Sequence, residues 1–143
     1  MHAVFSGDLK TVQTLIKYGA NIHHTNYIGR NVLHIACNQG DFAMIQYLID
    51  VSPSLLDQED DYGNTPFFIA VMAIRKQQIE IVKFLLEKGV DPNWKNRRNR
   101  TCLDCITEEY KPMIEFFHER RELLNEENQK KLNRLRLKSI FEM

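Results

Sequence analysis

The sequence predicts an all-α solenoid: stacked units, each a tight turn followed by two antiparallel helices, finished by a long charged C-terminal helix. Three observations predict it. Turn segments recur at near-constant spacing, with Gly29 and Gly63 34 residues apart and Gly63 and Asn99 36 apart. A second pattern, apolar at helical spacing, follows the turns in register, as in Val12, Leu15 and Ile16 or Val82, Leu85 and Leu86. Start and stop signals agree with both patterns, since Thr65-Pro66 opens one helix and Gly19 and Gly89 close two others.

Composition permits such a core. The chain has 143 residues, 43% hydrophobic and 27% charged, which is globular rather than disordered. Nineteen Lys and Arg balance nineteen Asp and Glu, so net charge points to neither nucleic acid nor membrane. No apolar run approaches the roughly 20 residues that span a bilayer. The opening "MHAVFSGDLK" lacks the charged start and apolar stretch of a signal peptide. Cys37, Cys102 and Cys105 cannot all pair and lie among apolar residues, which predicts an intracellular, cytoplasmic setting.

Taken in order, residues 1–25 form a partial first unit, whose second helix lies in "GDLKTVQTLIKYGANI". Aligning Gly7 on Gly40 puts Ala3 where Ala36 sits, in a first helix without its turn. Val4, Phe5, Leu9, Val12, Leu15 and Ile16 then belong to a unit with no predecessor. The expectation is a longer native protein, or packing of this unit on another chain. Residues 26–59 form the second unit, "NYIGRNVLHIA" then "GDFAMIQYLIDVSPSL", stopped at Ser52-Pro53.

Residues 60–95 form the third unit, "DDYGNTPFFIA" then "QIEIVKFLLEKGVDPN". Thr65 caps its first helix and Pro66 occupies the first turn, where a missing N–H costs nothing. Its middle segment "VMAIRKQQIE" is longer than the counterpart "CNQGDFAM", with Arg75-Lys76-Gln77-Gln78 at the helix–helix turn. A longer first helix or a surface loop accounts for it more simply than a specificity element.

Residues 96–120 form a capping unit that opens "NRRNRTCLDCI", with Asn99 tolerating the left-handed backbone. Glu108 and Glu109 are expected exposed in its first helix, and Pro112 opens a second. Met113, Ile114, Phe116 and Phe117 of that second helix should cover the third unit. Residues 121–143 contain no Gly or Pro and read as a charged helix continuing it. Leu124, Leu132 and Leu135 make a sparse stripe, and Ile140-Phe141 an exposed apolar end. A solvated tail and a helix docking on a partner or another copy both remain open.

The pattern resembles the ankyrin repeat, a turn plus two helices with a period near 33. The T-P-L-H-x-A signature reads Asn31 to Ala36, Thr65 to Ala70 and Thr101 to Ile106. The resemblance covers residues 1–120. Tetratricopeptide repeats have a similar period but lack the glycine turn and the Thr-Pro start. The resemblance implies that Ala36 and Ala70 keep the first helix thin and that Leu33, Phe67 and Leu103 point into the inter-repeat core. It implies that His34 bonds neighbouring backbone. Phe68 and Asp104 replace that histidine in the later units, which puts those two networks in question.

Enzyme signatures fail in turn. No Gly-rich phosphate loop, G-x-S-x-G elbow or H-E-x-x-H pair is present. Cys102 and Cys105 have the spacing of half a zinc site or a redox pair, without a second half, and read as core. His23-His24 reads as surface. No catalytic residue, metal or cofactor is assigned.

Binding of protein partners is what the resemblance implies, through the turn tips and the inner-helix ends. By register the tips are Tyr27, Ile28 and Arg30, then Asp61, Tyr62 and Asn64, then Arg97, Arg98 and Arg100. The inner-helix positions include Phe5, Asn38, Gln39 and Met72. Tyr and Arg are the residues that most often dominate binding energy. "QEDD" (58–61) is acidic and "KNRRNR" (95–100) carries four positive charges, which suits either neighbour pairing or steering of an acidic partner segment. A second basic run, Lys130, Lys131, Arg134, Arg136 and Lys138, keeps nucleic acid as a minor alternative; membrane insertion is not expected. The leading expectation is a non-enzymatic protein-interaction scaffold. The alternatives are a structural element docked through its first unit and tail, or a regulatory or targeting domain of an enzyme.

Overall fold

The computed structural model describes residues 1–73, 75 and 77–141. Helices α1 (His2–Phe5) and α2 (Leu9–Lys17) form the first unit, α3 (Val32–Gln39) and α4 (Phe42–Val51) the second, α5 (Pro66–Met72) and α6 (Gln78–Glu87) the third. Among the described residues there is no strand, so the molecule is all-α.

Side chains define the helix starts. Asp8 accepts the N–H of Thr11, Asp41 that of Met44 and Thr65 that of Phe68, each satisfying a donor the helix leaves unpaired. Pro66 stands in the first turn of α5. Between α3 and α4 the chain reverses at Gly40 with φ 70°, where an added Cβ would lie 2.7 Å from Cβ of Arg75. After α4, Ser52 is extended and a 3-10 turn, Pro53–Asp57, buries Leu55 and Leu56.

The inner helices α1, α3 and α5 stack in line, each backed by the outer helix of its own unit. Leu33, Ala36, Ile45, Leu48, Phe67, Ala70, Ile81 and Leu85 form one continuous core between them. Each large side chain so buried contributes about 1.5–3 kcal/mol, and no single unit can bury its own apolar face.

The long segment of the third unit does not lengthen α5, which has seven residues against eight in α3. Gln78 takes over the helix–helix turn instead. Buried at the start of α6, it donates from Nε2 to the carbonyls of Ala70 (2.8 Å) and Val71 (2.6 Å). Its Oε1 accepts the Tyr110 hydroxyl, and Arg75 Nε donates to the Asn38 carbonyl at 3.0 Å. Of the expected replacement residues, Lys76 lies outside the described residues.

The capping unit departs from expectation twice. Its first helix is only a 3-10 turn, Cys102–Cys105, and Glu108 and Glu109 lie in a turn, not a helix. Ile106, extended at ψ 130° and buried, draws the chain away before a second helical turn forms. Helix α7 (Lys111–Glu119) then carries the buried Met113, Ile114, Phe116 and Phe117.

The tail is not a continuation of α7. A 3-10 turn, Arg121–Leu123, and an extended, buried Leu124 reverse the chain, and α8 (Glu126–Phe141) begins at 126 rather than 121. It packs back on α7 and on the 102–105 turn, burying Leu132, with Leu135 against the core. Polar side chains fix its start. Asn93 Oδ1 accepts from the Asn125 N–H and from Asn128 Nδ2, both at 2.8 Å. Buried Asn128 accepts the Thr101 hydroxyl at 2.9 Å. Ion pairs Lys95–Glu127 (3.0 Å), Lys131–Asp104 (2.9 Å) and Arg136–Glu115 (3.3 Å) follow along the helix.

Candidate functional site

The three turn tips share one construction. Asn26, Asp60 and Asn96 each accept on Oδ1 from the backbone N–H groups two and four residues on, at 2.9–3.1 Å. The turns close through left-handed Gly29, Gly63 and Asn99, the last at φ 59°. Adjacent tips are tied by backbone: Asp61 N–H donates to Ile28 O and Arg97 N–H to Tyr62 O, both at 3.0 Å. At Gly63 an added Cβ would stand 2.7 Å from the Arg97 backbone nitrogen, so the close approach itself requires glycine.

This rigid edge presents Tyr27, 92% exposed, and Tyr62, 48% exposed, on consecutive tips. Asp61, Arg97, Arg98 and Arg100 are also exposed, and the three arginines have no ion-pair partner among the described residues. At the inner-helix ends Asn38 and Met72 are exposed, and so is Phe5. Gln39 is half-buried and donates to the Phe5 carbonyl at 2.6 Å.

Three tip residues are occupied elsewhere. Asn64 is buried, not outward: its carbonyl meets His34 Nε2 at 2.8 Å and its Oδ1 accepts from Asn96 Nδ2 at 3.1 Å. Arg30 is half-buried, its Nε donating to Asp60 at 3.2 Å. Ile28 is half-buried, with its carbonyl in the inter-tip ladder. Asp60 belongs to the scaffold too, its side chain wholly covered, so the exposed charge of the acidic tip reduces to Glu59 and Asp61.

Trp94 escaped the sequence reading. Its Nε1 donates to the Gly63 carbonyl at 2.9 Å, joining the third unit's turn to the segment that leads into the capping unit, and being the chain's single tryptophan was its only signal.

His34 is buried and accepts the Asn31 N–H on Nδ1 (3.2 Å), a structural role. Burial pushes its pKa down, so it stays neutral. Burial also pushes the Cys102 thiol up to about 12, and its sulfur donates to the Pro92 carbonyl at 3.6 Å. A nucleophile or metal ligand needs the thiolate that this environment opposes. Among the described residues no three His, Cys, Asp or Glu are grouped to hold a metal, and no helix is long and apolar enough to cross a membrane.

The family model described as ankyrin repeats (3 copies) matches residues 1–96. The chain is 45% identical over 65 residues to human transient receptor potential cation channel subfamily A member 1, covering 45% of this chain and 6% of that protein. It is 42% identical over 64 residues to human protein phosphatase 1 regulatory subunit 27, covering 45% of this chain and 41% of the relative. Phosphocholine transferase AnkX of Legionella pneumophila is 28% identical over 120 residues, 76% of this chain and 13% of that protein. The chain thus spans less than half the length of each of these relatives. With the family model covering residues 1–96 and the stacked turn–helix–helix units, the chain belongs to the ankyrin-repeat family, whose repeats are protein–protein interaction modules.

Proposed function

We propose that the chain is a non-enzymatic scaffold that grips a protein partner along its turn tips and inner-helix ends. One observation carries the reading. Tyr27 and Tyr62 stand exposed on consecutive tips that a backbone ladder holds in place, with Arg97, Arg98 and Arg100 on the next tip. A tip backbone already in place lowers the ordering cost of binding, and Tyr and Arg are the residue types that most often anchor an interface. Met72, Asn38 and Gln39 extend the contact onto the inner helices, and Asp61 flanks it. The three free cysteines, two of them buried, support an intracellular, cytoplasmic setting.

The test is affinity capture with mass spectrometry, followed by direct binding of the captured protein to variants. Tyr27→Ala with Tyr62→Ala and Arg97→Ala should weaken binding about 30-fold or more, at an unchanged melting temperature. Binding that survives this triple substitution and is lost in Arg134→Ala with Lys138→Ala would move the interface to α8. A second reading, a regulatory or targeting domain of a larger protein, draws on the small shares of the channel and of the transferase that the chain matches.

A further inference from the structure

Where α3 and α5 line the inner face with helices, the capping unit offers only the 102–105 turn, and a groove of about 320 Å³ opens between the following segment and α8. Half-buried Leu135 gives it an apolar wall above the buried Leu103 and Ile106, and Arg134 and Lys138 line it as cations.

The charges are unevenly satisfied. Lys130, Arg134 and Lys138 recur every four residues along α8, an arrangement of like charges that repel. Lys130 is bonded to Glu126 at 2.9 Å, and Lys131 to Asp104 and Glu127. Arg134 and Lys138 are exposed and have no acidic partner among the described residues. With Asp104 engaged by Lys131, Glu108 is the remaining acid of the lining.

We propose that this groove binds an acidic, amphipathic peptide segment of a partner protein, with carboxylates on Arg134 and Lys138 and apolar side chains against Leu135. Nucleic acid fits less well. The lining holds no aromatic side chain on which a base would stack. The site is separate from the turn tips and does not depend on the reading given for them.

The experiment is fluorescence anisotropy of the full chain with a fluorescein-labelled synthetic peptide of alternating Glu and Leu pairs. Saturable binding is expected, falling about tenfold in Arg134→Ala with Lys138→Ala. Thr107→Trp, which fills the groove and leaves its cations in place, should fall similarly. Lys10→Ala with Lys17→Ala, exposed cations of the first unit, should bind as the parent does, whereas loss of binding confined to Arg97→Ala with Arg98→Ala and Arg100→Ala would assign the peptide to the tips and overturn the groove. Thermal melts confirm that each variant folds. Absence of binding overturns the proposal, as does equal binding by the Arg134 and Lys138 variant. Binding undiminished in Thr107→Trp reduces the site to a basic surface, and tighter binding of an oligo-dT probe assigns it to nucleic acid; either rejects the peptide groove.

Discussion

At the junction of the second and third units, His34 accepts the Asn31 N–H on Nδ1 and donates from Nε2 to the carbonyl of Asn64. At the last junction Asp104 holds the same register. Its Oδ2 accepts the Thr101 N–H at 2.8 Å and the ammonium of Lys131 at 2.9 Å. The local half of both networks is identical, a side chain reaching back to the N–H of the residue that begins the helix. The far half is reversed. Another repeat presents a backbone carbonyl, which needs a donor, whereas α8 presents a lysine, which needs an acceptor. The residue in this register thus follows the polarity of whatever stacks next. Phe68, between them, offers no polar tip and is buried; that junction is tied instead by Trp94 to Gly63 and by Asn96 to Asn64.

The comparison is broken most directly at α8 itself. Leu132 is 1% exposed, so Leu132→Ala should cost about 2–4 kcal/mol in urea unfolding, the range for a truncated core leucine. A cost below about 0.5 kcal/mol would mark α8 as a solvated tail and leave Asp104 without a neighbour to answer.

Next in size come the paired residues. His34→Ala leaves the Asn31 N–H buried without a partner and the Asn64 carbonyl with only the Asp60 N–H, at about 1–3 kcal/mol. Asp104→Ala should cost about 1 kcal/mol, because the Lys131 pair is partly solvated and screened. The reciprocal exchange is sharper. His34→Asp sets a carboxylate against the Asn64 carbonyl and should destabilise more than His34→Ala by chemical denaturation. If the two are equal, polarity does not decide this register.

The repeat architecture was legible because its determinants are local. A glycine or asparagine at a left-handed turn, Thr65-Pro66 at a helix start and apolar residues at helical spacing act within a few residues, whatever stacks beside them. What stayed hidden depends on the neighbour. Asn64 and Arg30 occupy tip positions by register, yet the adjacent turn and Asp60 draw them in. Residues 121–123 have no Gly or Pro to announce a reversal; the burial of Leu124 and the Asn93, Asn125 and Asn128 contacts, 30 or more residues away, produce it. Asp104 read as a lost histidine because its partner, Lys131, lies 27 residues on.

The smallest effect separates the two junctions by pH. His34 has its pKa lowered chiefly by burial, with the Arg30 charge acting the same way and the Asn64 bond and Asp60 opposing. An unfolded histidine takes up a proton near 6.5, and the buried one resists until lower pH. The contribution of His34 is therefore full above about pH 6.5 and is lost as pH falls through its folded value. For Asp104, burial alone would raise the pKa, but the bonds from Lys131 and Thr101 outweigh it and hold the carboxyl below its ordinary range. Its contribution is full above about pH 4 and is lost only as pH falls through that lower value. In His34→Gln, which keeps a donor but does not titrate, the melting-temperature deficit against the parent should shrink between pH 7 and 5. In Asp104→Asn the deficit should hold constant over that range and shrink only below about pH 4. Coincident profiles would mean that the two junctions are not of opposite polarity.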